Sequence, residues 1–235
     1  MRIGSVGVGR AVVAASIDAG RRPVSAPSSA GGRSFAEHLR LTRPSSAAAP
    51  QAATRPIPSA SASKGNGGGA APTLEERVAE VAGRLHIRTG DLMAVMRFES
   101  GLRPDAMNPT SHAVGLIQFL PRTAADLLGL PLGQHGRERQ AVETLAAMSA
   151  DEQLDLVEAY LEKVLGGRPA NLRDTYMAVL YPAAVGRGDG YVIAHADGES
   201  AFERAVYRQN APLDANGDGA ITAGEAAARV AGVRG

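Results

Sequence analysis

The most informative stretch of the sequence reads LMAVMRFESG, residues 92–101. Residues 92–96 are all apolar, so this part of the chain must be substantially buried in a folded domain. Gly101 suits the left-handed position that commonly follows the last residue of a helix. We therefore predict a helix over about residues 90–100 that is largely buried and ends beside a glutamate, Glu99.

Helix signals surround this stretch, whereas strand signals are almost absent. Thr73 and Glu76 have capping-box spacing, and Leu74, Val78 and Val81 follow on one helical face. Further helices are predicted at about residues 121–128, from a second capping box at 149–152, from Asn171 to about 180, near 199–208 and over 223–231. The body of the chain is therefore predicted to be a mainly α domain.

Charge and composition exclude several functions. Residues 1–73 carry nine Arg or Lys and two acidic residues, whereas the remaining residues carry 16 basic and 22 acidic ones. An acidic body argues against a core that binds nucleic acid. The absence of cysteine excludes disulfides, a thiolate zinc site and a cysteine nucleophile. No apolar run is long enough to span a bilayer.

The N-terminal part is poor material for a folded domain. Of the 50 residues from 21 to 70, 32 are Ala, Ser, Gly or Pro. Such a composition cannot bury enough apolar surface to offset the entropy of ordering. We predict that residues 1–72 form a disordered, basic region. Its first twenty residues make only a weak export signal, so the region is also a candidate targeting segment.

Glu99 is the candidate catalytic residue. A carboxyl group at the edge of an apolar core loses hydration, which raises its pKa and suits a general acid at neutral pH. The alternative is a structural glutamate that forms a salt bridge with Arg97 or Arg103. Spacing alone favours the structural interpretation, because a glutamate near the end of a helix is usually solvated or salt-bridged.

Three ordered blocks add weight to the catalytic interpretation. Glu99-Ser100-Gly101 is followed by GLIQFLPRTA at residues 115–124 and by AVLYPAAVG at residues 178–186. In order and separation, these blocks resemble the soluble lytic transglycosylase and goose-type lysozyme superfamily, over about residues 75–210. The third block has Leu-Tyr-Pro around Tyr181, where the family more often has Ala-Tyr-Asn.

The resemblance implies a lysozyme-like helical domain over residues 73–210 that cleaves the MurNAc–GlcNAc β-1,4 bond of peptidoglycan. It implies that Glu99 acts as the single acid and base, with the substrate's N-acetyl group as nucleophile and a 1,6-anhydro-muramyl product. Ser100 and Gln118 would hydrogen-bond the sugar, Phe119 would form a sugar-facing wall, and Tyr181 would orient Glu99. The structural alternatives are a turn residue at Ser100, a core ring at Phe119 and a buried tyrosine at Tyr181.

The C-terminal segment, residues 211–235, contains the pattern of an EF-hand calcium loop over residues 214–225. Oxygen ligands stand at the expected positions, with Gly219 at the sharp turn. The predicted ligands are Asp214, Asn216, Asp218, the carbonyl of Ala220, Thr222 and Glu225. A single loop favours a structural Ca²⁺ site over a sensor. The alternative is an Asp-Gly turn that binds no metal.

Three functions therefore compete: a lytic transglycosylase, a hydrolytic muramidase on the same fold, and a non-catalytic calcium-binding adaptor that binds peptidoglycan. An enzyme acting on the cell wall is expected in the periplasm or outside the cell. The N-terminal region is a candidate docking segment for a secretion, flagellar or phage apparatus.

Overall fold

The computed structural model describes residues 72–131 and 134–233, so the predictions for residues 1–71 lie outside the described residues. The described part is mainly helical, as predicted. Its eight α-helices are α1 (Leu74–Arg84), α2 (Thr89–Ser100), α3 (Pro121–Leu127), α4 (Arg137–Ala147), α5 (Ala150–Leu165), α6 (Leu172–Leu180), α7 (Ala201–Asn210) and α8 (Ala223–Ala231). Within these ranges no helix has the length and apolarity needed to cross a bilayer.

Helix α2 lies at the centre of the packing. Six consecutive residues, Asp91–Met96, are buried, which is the pattern of a helix covered on all sides. Helices α1, α6 and α8 pack against it. The prediction of a largely buried helix that ends at Ser100 is confirmed. The last turn of α2, with Glu99, therefore lies where several helices meet.

The predicted helix ends are confirmed by their hydrogen bonds. Both capping boxes form, at Thr73 before α1 and at Ser149 before α5. The side chain of Asn171 accepts from the backbone N–H of Asp174 at the start of α6. Gly101 ends α2 with φ +64°, a conformation that glycine adopts without steric cost.

The sequence patterns did not predict α4. This helix begins after Gly136 in a left-handed conformation with no side-chain cap, so it lacks the usual start signal. It packs against α3 and buries Ala141, Val142 and Leu145. Arg137, at its first position, donates to the carbonyl oxygen of Leu130 at 2.8 Å, which fixes the helix to the preceding loop.

Two short strands form near the C-terminus. Strand β1 (Val192–His195) pairs antiparallel with β2 (Ala220–Thr222), which places Ile221 opposite Ala194. Strand β2 lies inside the predicted calcium loop and leads directly into α8. Because α8 packs against α6 and α2, the C-terminal segment adjoins the helices that carry the site.

Candidate active site

Glu99 lies in the last turn of α2, and the residue as a whole is of intermediate exposure. Burial raises its pKa from 4.5 to about 8. Every other acidic group in the described residues whose pKa is shifted has it lowered, mainly by hydrogen bonds. These groups are Glu76, Glu152, Glu158 and Asp214. The fold thus sets Glu99 apart as a carboxyl that holds its proton at neutral pH.

Ser100 connects the end of α2 to the loop that follows. Its hydroxyl oxygen is 3.0 Å from the carbonyl oxygen of Met96 and 2.9 Å from that of Leu116. A hydroxyl has one proton, so it donates to one of these carbonyls at a time. The side chain is 7% exposed, which leaves it little surface for a ligand. Its predicted contact with substrate stays a prediction.

Gln118 lies in a tight turn between Val114 and Phe119. The backbones of these two residues exchange hydrogen bonds of 2.9 and 2.8 Å, and Gln118 has φ +54°. Its side-chain nitrogen donates to the carbonyl oxygens of Ala106 and Gly115 at 3.0 and 3.1 Å. Among the described residues, no donor reaches its side-chain oxygen. That oxygen is therefore available to accept a hydrogen bond from a ligand.

Gln153 on α5 forms hydrogen bonds with the loop that contains Gln118. It is fully buried, and its side-chain oxygen accepts from the backbone N–H of Leu116 at 2.9 Å. Its side-chain nitrogen donates to the carbonyl oxygens of Pro104 and Leu145 at 2.7 and 2.8 Å. A Cβ atom at Gly115 would lie 2.4 Å from the Gln153 side-chain oxygen, so only glycine fits there.

The sequence reasoning missed Gln153, although a signal was present. Gln153 stands four residues before Val157 and eight before Leu161, so it shares their apolar helix face. A polar residue on such a face needs buried hydrogen-bond partners. Two of the partners, Leu116 and Pro104, lie in a loop 37 and 49 residues earlier in the chain, and the helix pattern does not identify that loop.

Phe119 is 3% exposed, and its ring packs edge-on against Tyr160 with centroids 5.8 Å apart. The Tyr160 hydroxyl donates to the carbonyl oxygen of Ala178 on α6 at 2.9 Å. Burial raises the pKa of Tyr160 to about 12. In this structure the Phe119 ring belongs to the core between the turn and α5, and its sugar-facing role stays a prediction.

Tyr176 on α6 was also missed by the sequence reasoning. It is fully buried, and its ring meets the ring of Phe98 in a T-shaped contact with centroids 5.5 Å apart. Burial, followed by the negative charge of Glu99, raises the pKa of Tyr176 well above its usual value. The α2–α6 contact therefore brings a tyrosine within the electrostatic range of the candidate acid.

Tyr181 stands at the C-terminal end of α6, where its backbone N–H donates to Met177 at 2.8 Å. The side chain is about half-buried. Burial raises its pKa to about 12, with smaller contributions from Tyr191 and Glu203. The tertiary structure thus groups Tyr181 with two residues that no sequence motif connected to it. Its predicted hydrogen bond to Glu99 stays a prediction.

The comparison with protein families finds a match over about a third of the chain. Residues 78–156 match the model of the transglycosylase SLT domain. This SLT segment contains Glu99, Gln118 and Gln153, and it supports a lytic transglycosylase or lysozyme-like function on peptidoglycan. Neither a curated protein nor a solved structure matches the chain.

The predicted calcium loop lies outside the SLT segment. Asp214 accepts from the backbone N–H groups of Gly217 and Gly219 at 2.7 and 3.0 Å and from the Tyr207 hydroxyl at 2.7 Å. The Tyr207 hydrogen bond is the largest cause that lowers the pKa of Asp214. Gly219 has φ +84°, as a sharp turn at this position requires.

The other acidic side chains of the loop are also engaged with its backbone. Asp218 accepts from the N–H of Ala220 at 2.8 Å. Glu225 accepts from the N–H and the hydroxyl of Thr222 at 3.0 and 2.8 Å, which makes a capping box for α8. In residues 72–131 and 134–233, no three His, Asp or Glu side chains lie close enough together to hold a metal ion.

Proposed function

We propose that the protein is a peptidoglycan lytic transglycosylase in which Glu99 is the single acid and base. The observation that carries the proposal is the Glu99 carboxyl, whose pKa burial raises to about 8 within the SLT segment. At neutral pH this carboxyl is mostly protonated, so it can donate to the oxygen of a leaving sugar. A carboxylate with such a pKa is also a stronger base than an ordinary one.

The chemistry follows from these two roles. Glu99 protonates the glycosidic oxygen between MurNAc and GlcNAc, and the C1–O bond breaks through an oxocarbenium-like state. The N-acetyl oxygen of the MurNAc residue attacks C1 from within the substrate. The Glu99 carboxylate then removes the proton from the C6 hydroxyl, whose oxygen displaces the N-acetyl group at C1. The product is a 1,6-anhydro sugar, the proton is back on Glu99, and no water is consumed.

The charges around Glu99 favour a mechanism with one carboxyl. Two-carboxylate glycosidases need a second Asp or Glu across the scissile bond. The sequence offers only Asp105 and Asp126 nearby. Asp105 lies beside Arg103, and Asp126 is paired with Arg137 of α4. An internal nucleophile supplied by the substrate removes the need for a second carboxylate.

Gln118 and Tyr181 are the side chains that we propose to contact the sugar. The Gln118 side-chain oxygen can accept from an N-acetyl N–H, because its nitrogen already binds two backbone carbonyls. Tyr181 is only half-buried and keeps its proton at any physiological pH. In this proposal Ser100 and Phe119 have structural roles. Ser100 holds the end of α2 by hydrogen bonds, and Phe119 packs in the core.

The decisive experiment is digestion of purified peptidoglycan, with product masses read by mass spectrometry. Wild-type protein should release muropeptides that end in anhydro-muramyl groups, and Glu99→Gln should release almost none. A hydrolytic muramidase would give products heavier by one water. No release by a wild-type protein with an intact helical circular dichroism spectrum would favour the non-catalytic, peptidoglycan-binding alternative.

We also propose that residues 214–225 bind a structural Ca²⁺. The donor set fits a hard cation, because it consists of carboxylate, amide, hydroxyl and carbonyl oxygens. The turn at Gly219 and strand β2 already have the backbone shape that such a loop needs. Thr222 and Glu225 have both calcium-loop and capping-box spacing. Both carboxylate oxygens of Glu225 already accept hydrogen bonds from Thr222 and Ala215, and competition with these bonds predicts a modest affinity.

Peptidoglycan lies outside the cytoplasmic membrane, so we propose that the protein acts in the periplasm or outside the cell. The N-terminal region, residues 1–72, is proposed to direct it there or to dock it on a secretion, flagellar or phage apparatus. Removing residues 1–70 should leave activity on purified peptidoglycan unchanged. Loss of wall cleavage in cells, with that activity retained, would support a targeting role.

A further inference from the structure

The hydroxyl group of Tyr176 has no hydrogen-bond partner among the described residues. It is also inaccessible to solvent, so bulk water cannot take the place of a partner. A buried hydroxyl without a partner is unfavourable, and native proteins rarely leave one in that state without a reason. Phenylalanine would fill the same space without this cost. The hydroxyl therefore calls for an explanation beyond packing.

The position of Tyr176 provides one. Helix α6 packs against α2, and the Tyr176 ring contacts Phe98, the residue immediately before Glu99. The edge-on contact, with an interplanar angle of 80°, holds the tyrosine ring in one orientation. The charge of Glu99 acts on the Tyr176 hydroxyl, so the two groups lie within electrostatic range of each other at this end of α2.

We propose that Tyr176 is a positioning residue for Glu99, and that its hydroxyl donates a hydrogen bond to the Glu99 carboxylate when that carboxyl has given up its proton. The inference rests on the proposed function. A neutral carboxyl has little need for the donor, whereas the carboxylate that forms during catalysis is stabilised by it. Tyr176 keeps its own proton throughout, and Glu99 alone exchanges a proton with the substrate.

Among the residues that the structure describes, none of the other charged groups near α2 forms a hydrogen bond with the Tyr176 hydroxyl. On the elements packed against α2, and on α2 itself, they are Glu75, Glu76, Arg77, Glu80 and Arg84 of α1, Asp91 and Arg97 of α2, Arg173 and Asp174 of α6, and Glu225 and Arg229 of α8. Arg77 pairs with Glu80, Asp91 pairs with Arg88, and Glu76 caps its own helix. Arg84 pairs with Glu158, Arg173 pairs with Asp174, and Glu225 caps its own helix. The pKa of Tyr176 responds to burial and to the Glu99 charge. Glu99 is therefore the charged group that acts on the Tyr176 hydroxyl.

The test is Tyr176→Phe, which keeps the ring contact with Phe98 and removes only the oxygen. The full-length protein is labelled with ¹³C at the glutamate side chains, and its carboxyl signals are followed by NMR as the pH is changed. The signal of Glu99 is recognised because it titrates near pH 8. Loss of a hydrogen bond to the charged form should move this titration upward by about one pH unit. The kcat should fall about tenfold while KM changes little, because the interaction forms after the substrate is bound.

Tyr160→Phe is the matched control, because its hydroxyl donates to a backbone carbonyl in the same core. That variant should melt at a lower temperature and leave the Glu99 titration in place. Tyr176→Phe should instead melt at or above the wild-type temperature. An unmoved Glu99 titration in Tyr176→Phe would overturn the inference. The NMR readout needs no activity, so failure of wild-type protein to cleave peptidoglycan would count against the proposed function alone.

Discussion

Two segments, residues 102–119 beside Glu99 and residues 214–225 leading into α8, are stabilised by different kinds of hydrogen bond. In the first, the key hydrogen bonds come from far along the chain: Gln153 reaches back 37 and 49 residues to Leu116 and Pro104. In the second, Asp214 and Asp218 bind backbone groups two to five residues away. The first loop is thus held by a side chain from a distant helix, whereas the acidic side chains of the second bind the backbone of their own loop. Different variants should therefore disrupt each.

The largest expected effect is on catalysis, through the end of α2. Glu99→Gln keeps the shape of the side chain but cannot donate the proton that the leaving oxygen needs. General acid catalysis is typically worth about 10²–10⁴-fold, and here the same group also acts as base, so kcat should fall by at least about 10³-fold. Initial rates of muropeptide release measure this. Activity within threefold of wild type would remove Glu99 from the mechanism.

The next largest effect concerns the hydrogen bonds from Gln153 to residues 102–119. Gln153→Ala leaves the Leu116 N–H and the carbonyl of Pro104 without their partner in a buried site, and the carbonyl of Leu145 keeps only the Met148 N–H. We expect a loss of about 2–4 kcal/mol in the free energy of unfolding, measured by urea denaturation. The amide of Leu116 should also exchange its hydrogen faster. An unchanged exchange rate would show that the loop does not depend on α5.

Gln140→Ala is a suitable control for that variant. Gln140 lies exposed on α4, and its side-chain oxygen accepts only from Gln134 at 3.4 Å. Replacing it should change the free energy of unfolding by less than about 0.5 kcal/mol. A similar loss in both variants would mean that the Gln153 effect is not specific to the loop.

The raised pKa of Glu99 predicts that the wild-type site reduces stability at alkaline pH. Its pKa is about 8 in the folded protein and near 4.5 when exposed, so between these values the folded state binds the extra proton. Stability from this group is therefore fully present below about pH 4.5, falls as pH rises, and is lost by about pH 8. Glu99→Gln should be more stable than wild type by about 2–3 kcal/mol at pH 8.5, and by much less at pH 5. Equal differences at the two pH values would contradict the shift.

The smallest expected effect concerns the predicted calcium loop, residues 214–225. Millimolar Ca²⁺ should raise the melting temperature of the wild type, because binding at ten times the dissociation constant stabilises by about 1.4 kcal/mol. A lone loop should bind at roughly 10⁻⁴–10⁻³ M. Asp214→Ala should abolish the shift, whereas Asp197→Ala, outside the loop, should keep it. No shift in the wild type at ten millimolar Ca²⁺ would show that the loop binds no calcium.

Local signals in the sequence predicted much of this protein. The capping boxes at Thr73 and Ser149 and the stop at Gly101 depend on contacts within a few residues, so they can be recognised in the sequence. The run 92–96 can be recognised as buried because all its residues are apolar, although the sequence does not show which helices cover it. Helix α4 was missed because it has no capping side chain. Strands β1 and β2 were missed because four and three residues are too few to show an alternating pattern.

The sequence by itself thus determined a mainly helical domain and a glutamate at the end of its central helix. Only the tertiary structure decided what surrounds that glutamate. Gln153 and Tyr176 belong to helices whose patterns indicate burial but not which loop or side chain they meet. The physical reason is that desolvation and hydrogen bonding depend on distances in space, and the partners of Glu99 and its loop come from segments tens of residues apart.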